Sequence, residues 1–64
     1  MQGFMLSRHA ILTFDNGSRI RAEVTLRLKR WYTHADYERE LVAELNKAQP
    51  NAVHKITKVH IMRN

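Results

Sequence analysis

From Arg19 to Lys29 the chain alternates without a break: Ile20, Ala22, Val24, Leu26 and Leu28 are apolar, and every odd position is polar. Side chains of a strand point to opposite faces with a period of two, whereas a helix would scatter these residues around its circumference. The segment is therefore a strand with one dry face and one wet face. Arg19, Arg21, Arg27 and Lys29 hold four of the six odd positions, so the wet face is cationic. The remainder of a 64-residue chain has to supply a cover for the dry face.

The preceding segment supplies the pairing partner. Phe4, Leu6, Ala10, Leu12 and Phe14 share one parity, interrupted by Arg8, and predict a first strand over Phe4 to Phe14. Asp15-Asn16-Gly17-Ser18 is a turn signal, and register selects its form. A two-residue Asn16-Gly17 loop sets Phe14 opposite Arg19 and mixes apolar with basic side chains on one face. A three-residue loop Asp15-Asn16-Gly17, with Gly17 left-handed as a G1 bulge, sets Phe14 opposite Ser18 and puts every apolar pair on one face. A slip of one residue would turn the whole set to solvent.

Thr33 is an N-cap three residues ahead of Asp36, and Tyr32 and Tyr37 have the spacing of a hydrophobic staple. A helix is predicted from about His34 to Ala48, with Tyr37, Leu41, Leu45 and Ala48 as its apolar stripe and Val42 beside it. Pro50 prevents continuation. The last strand, Val53 to Met62, has a phase fault: Val59 and Ile61 share a parity that Ile56 lacks. Either a bulge near Thr57-Lys58 corrects it, or Ile56 belongs to a loop.

A helix between the second and third strands makes those two parallel. The expected fold is a single small α+β domain, β-β-α-β, with a three-stranded sheet in the order 2-1-3 and one helix on one face. A helix of about 22 Å cannot cover a strand of about 36 Å. One end of the hairpin should outrun its cover.

Composition narrows the function. A chain this short buries only about 60% of its unfolded surface, which leaves no room for a deep substrate cavity. It has no cysteine, hence no thiolate chemistry and no disulfide framework; with no signal-like start and no apolar run of membrane length, a cytoplasmic protein is expected. Net charge is +5, unevenly spread. Thr33 to Gln49 holds four acids (Asp36, Glu38, Glu40, Glu44) against two bases (Arg39, Lys47), while the rest holds nine bases and two acids (Asp15, Glu23).

No catalytic or metal constellation stands out. His54 and His60 are six residues apart, roughly 20 Å on a strand, too far to share an ion. The helix acids form a surface and not a converging pair, and there is no phosphate loop or dinucleotide fingerprint. No cofactor is implied, and an enzyme is not expected. Trp31 beside Arg30 has two readings, a core residue closing the end of the sheet or a platform on which a base stacks; core is expected.

The open face carries the functional expectation. Arg19, Arg21, Arg27, Lys29, Arg30, Lys58 and His60 are the candidate binding residues. A solvated face that keeps an exposed sheet soluble is the plain alternative, but the segregation of charge favours binding. Two partner classes fit: nucleic acid, through phosphates, or an acidic surface of a protein such as a polymerase or nuclease, as for small inhibitors encoded by phages and mobile elements. A homodimer through the overhanging hairpin or an open strand edge is compatible with either.

Overall fold

The elements follow in the order β1 (Met5–Phe14), β2 (Arg19–Arg27), α1 (His34–Ala48) and β3 (Ile56–Ile61), in a computed structural model that describes residues 4–63. The strands form one sheet in the order β2-β1-β3, with β1 antiparallel to both neighbours. The helix packs against one face of it. This is the expected α+β arrangement.

The hairpin turns through the three-residue loop. Gly17 N–H donates to Phe14 O and Phe14 N–H to Ser18 O, both at 2.9 Å. Gly17 has φ +87°, and Asn16 is not in the left-handed region. A type I turn closed by a G1 bulge has these features. The resulting register places Leu6, Arg8, Ala10 and Leu12 opposite Leu26, Val24, Ala22 and Ile20, so the apolar residues of both strands share one face.

The phase fault in the last strand resolves as a bulge. Phe14 pairs with Ile56 and Thr13 with Lys58, which leaves Thr57 unpaired. The Thr57 hydroxyl donates to Thr13 O at 3.3 Å. One extra residue restores the alternation, so that Ile56, Val59 and Ile61 all reach the core. The strand starts at Ile56 and not at Val53. Val53 is 88% exposed, and the loop containing it is tied to the hairpin turn through Asp15. That carboxylate accepts from Lys55 N–H at 3.1 Å and lies 2.9 Å from His54 Nδ1.

The start of α1 carries the expected capping box: Asp36 N–H donates to Thr33 Oγ1 at 3.2 Å and Thr33 N–H to Asp36 Oδ2 at 2.9 Å. Tyr32 and Tyr37 meet with ring centroids 5.0 Å apart, which fixes the entry of the chain into the helix. At its other end Asn46 makes two hydrogen bonds to one residue of β3, accepting from Ile56 N–H and donating to Ile56 O, both at 2.9 Å.

Ala10, Leu12, Val24, Leu26, Leu41, Val59 and Ile61 form the buried core, with Phe14, Ala22, Tyr37, Val42, Leu45 and Ile56 packed around it. Ala48, expected in the helix stripe, is exposed. The cover falls short at both ends of β2 and not at one. Ile20 is 50% and Leu28 40% exposed, because the helix is held over β3 at the far side of the sheet. Phe4, expected in the first strand, lies just outside it and is 80% exposed.

Thr33→Ala removes the acceptor for Asp36 N–H and should lower stability by about 1 kcal/mol. Urea unfolding of both proteins checks this; equal midpoints with equal slopes would contradict it.

Candidate functional site

The sheet face opposite α1 is arranged in rows across the three strands. Thr13 lies between Arg19 and Lys58, Ile11 between Arg21 and His60, and His9 opposite Glu23. Thr25 and Arg27 continue β2 opposite Ser7 and Met5. Arg19, Arg21, Arg27, Lys58 and His60 are all exposed. Cations thus occupy both edge strands, while β1 between them presents Ser7, His9, Ile11 and Thr13. Neighbouring strands are about 4.8 Å apart, so the two cationic lines run about 10 Å apart at the backbone. Arg19 and Arg27 bracket a line of about 26 Å along β2.

Most of these cations have no counter-ion among the described residues. Among the described residues, Arg19, Arg21, Arg27, Arg30 and Lys58 make no ion pair. His60 differs: its Nδ1 is 3.8 Å from Glu38 Oε2 of the helix. Glu23 is the one acid on this face among the described residues.

Lys29 leaves the face. The period of two holds only while the backbone stays extended, and β2 ends at Arg27. Lys29 turns toward the helix, where its Nζ lies 2.7 Å from Glu40 Oε2 and 4.8 Å from the centroid of Tyr32. Its backbone N–H donates to Tyr37 Oη at 2.8 Å. The bond to Glu40 raises the pKa of Lys29 and lowers that of Glu40. Lys29 is a link between strand and helix and not part of the cationic face.

Trp31 is a second correction. It is 91% exposed and not core. Tyr32 N–H donates to Lys29 O at 3.5 Å, closing a turn over Lys29–Tyr32. Trp31 is third in that turn, with φ +68°, while Arg30 is not in the left-handed region. This is the type II pattern, whose third position ordinarily takes Gly or Asn. Since Tyr32 fills the staple position against Tyr37, the residue before it is directed outward. The staple spacing of Tyr32 to Tyr37 is the sequence signal that marks Tyr32, and not Trp31, as the inward aromatic. Exposed Arg30 and Trp31 therefore form a corner just beyond the Arg27 end of β2.

No helix among the described residues is long and apolar enough to cross a membrane. No protein-family model, curated protein or solved structure matches the chain.

Two predictions follow from these contacts. Trp31→Ala should stay within roughly 0.5 kcal/mol of the wild type, since little packing is lost at an exposed position. Trp31→Gly should be more stable than Trp31→Ala by about 1 kcal/mol, because glycine adopts a positive φ without strain. Chemical denaturation of the three proteins reads both differences.

The second concerns acid. Hydrogen bonds from Lys55 and Thr33 backbone groups lower the pKa of Asp15 and Asp36 respectively, and the Lys29 bond lowers that of Glu40. Each carboxylate contributes stability above its ordinary pKa of about 4, and that contribution is lost as pH falls through the lowered value. The thermal midpoint should drop on acidification below about pH 4. Asp36→Asn should make that fall shallower, as a pH series of melting curves would register.

Proposed function

We propose that this is a small non-enzymatic binding module that lays the open face of its sheet on nucleic acid. One observation carries the reading: the two edge strands hold exposed basic residues on the open face, Arg19, Arg21 and Arg27 on one side and Lys58 and His60 on the other, while on the strand between them the one arginine, Arg8, has the parity of the opposite face. The lines are about 10 Å apart at the backbone, and the major groove of a duplex is about 12 Å wide. Long side chains splaying from the two edges meet the phosphates that border the groove. Ile11, Thr13 and His9 then face its floor. Arg19, Arg21, Arg27 and Lys58 are the phosphate contacts in this reading, His60 joins them when protonated, and Arg30 extends the line past the end of β2. Lys29, engaged with Glu40, takes no part.

A protein partner is favoured by a different observation. Trp and Arg are the residues most enriched among binding hot spots, and exposed Trp31 stands next to Arg30. An acidic protein surface would engage this corner together with the cationic face.

A salt titration decides between them. With a mixed-sequence duplex followed by fluorescence anisotropy, log affinity should fall linearly with log salt. Arg19→Ser with Lys58→Ser removes both ends of one row and should flatten the slope by about 2, while stability stays within roughly 0.5 kcal/mol. Absence of binding at about 50 mM salt and tens of micromolar protein would retire the nucleic-acid reading, since non-specific binders reach about 10⁻⁴–10⁻⁶ M at higher salt. A partner captured equally well after nuclease treatment, and lost in Trp31→Ala, would establish the protein reading.

A further inference from the structure

The two edges of the sheet are treated differently. Met62 N–H donates to His9 O, which places His60 and Lys58, beyond the bulge, in the bonded pairs with β1 and turns Ile61 outward. Helix side chains meet that outward edge: Ile61 N–H donates to Glu38 Oε2 at 2.9 Å, and His34 Nε2 lies 3.2 Å from Ile61 O. Asn46 takes both backbone groups of Ile56 at the other end. The edge of β3 is bonded at both ends, and Val59 between them is buried.

The edge of β2 is open. The bonds Phe14 N–H to Ser18 O and Leu28 N–H to Phe4 O place the even-numbered residues of β2 in the pairs with β1. The N–H and C=O groups of Arg19, Arg21, Glu23, Thr25 and Arg27 therefore point away from the sheet. No side chain among the described residues caps them. The half-exposed Ile20 lies on the dry face beside this edge.

We propose that β2 pairs with β2 of a second copy of this chain, antiparallel, with Arg21 opposite Glu23 of the partner copy and Ala22 on the two-fold axis. Charge selects this register. Only outward-pointing residues can exchange bonds, so odd positions must face odd positions. A shift one way sets Arg21 against its own copy, and a shift the other way sets Glu23 against its own copy. A further shift sets Arg21 against Arg27, and the next, which sets Glu23 against Arg27, overlaps the strands only over residues 23–27 where the chosen register overlaps them over 19–25. Like charges directly opposite destabilise a pair, whereas opposite charges support it. The chosen register makes two Arg21–Glu23 pairs and opposes no like charges. On the dry face it sets half-exposed Ile20 against Val24 of the second copy, and the small Ala22 side chains meet at the axis, where the strands come closest. Arginines on an edge ordinarily discourage pairing; here Glu23 turns one of them into an attraction. The dimer has one six-stranded sheet whose open faces are continuous, and it stands whether or not nucleic acid is the ligand.

Sedimentation equilibrium over a concentration series tests the pairing with the full chain. Arg21→Glu or Glu23→Arg alone should weaken dimerisation by about tenfold or more, since symmetry turns two attractive pairs into two repulsive ones. The swap of both should restore it to near the wild-type value. In hydrogen exchange, the amides of Arg19, Arg21, Glu23 and Thr25 should gain protection as concentration rises. A wild-type protein that stays monomeric up to about millimolar concentration, the weakest range that affinity arithmetic counts as binding, overturns the proposal. So does a dimer in which those amides stay unprotected, or one that the double swap fails to rescue.

Discussion

The helix is hydrogen-bonded to the outer edge of β3 at two points, and most of the architecture depends on that attachment. Asn46 holds Ile56, and Glu38 with His34 holds Ile61. These contacts satisfy backbone groups of an edge strand, which would otherwise have to stay solvated or be lost to burial. They also decide where α1 lies. A helix pinned over β3 buries Leu41 in one core with Val59 and Ile61 and leaves Ile20 and Leu28 half-exposed, although Tyr37 and Glu40 meet the chain at Lys29 just past β2. The same hydrogen bonds that occupy one edge thus leave the other edge open, with apolar residues beside it. Thr57 makes the arrangement workable: without the bulge, Ile56 would face away from the core that Val59 and Ile61 enter.

Where backbone geometry repeats, the sequence was readable in detail. The alternation of β2 against β1 admitted one register, and Gly17 adopts the conformation which that register requires. The Thr33–Asp36 spacing located the helix start to the residue, because a capping box fixes two specific hydrogen bonds. Legibility failed where repetition stops. Lys29 has the parity of the cationic face, but parity has no meaning two residues past the end of a strand, and Glu40 captures it from the helix. Trp31 was misplaced for a related reason. Hydrophobicity ranks it above Tyr32 as a core residue, whereas the turn and the staple select by position. The last strand starts at Ile56 and not at Val53 because the tie of Lys55 and His54 to Asp15 holds the intervening segment in a loop.

The positive face owes as much to the helix as to its own arginines. An acidic helix could in principle neutralise the sheet across a protein only 17 Å thick in its shortest dimension. It does not, because most of its carboxylates are committed locally. Asp36 is held by the backbone of Thr33 and by Arg39, Glu40 by Lys29 and Tyr32, and Glu38 by the edge of β3. Beyond the helix, Asp15 is taken by the loop ahead of β3. Each contact lowers the cost of an exposed charge only modestly, but together they hold these carboxylates in local contacts and leave Glu23 as the one acid on the face of Arg19, Arg21, Arg27 and Lys58 among the described residues. At physiological salt the Debye length is about 8 Å, so charge on the far side of the sheet is screened before it reaches the open face. The separation of sign by structural element, already visible along the chain, becomes a separation by face once the strands and helix are placed. That gives the open face a positive potential which a phosphate or carboxylate surface can use.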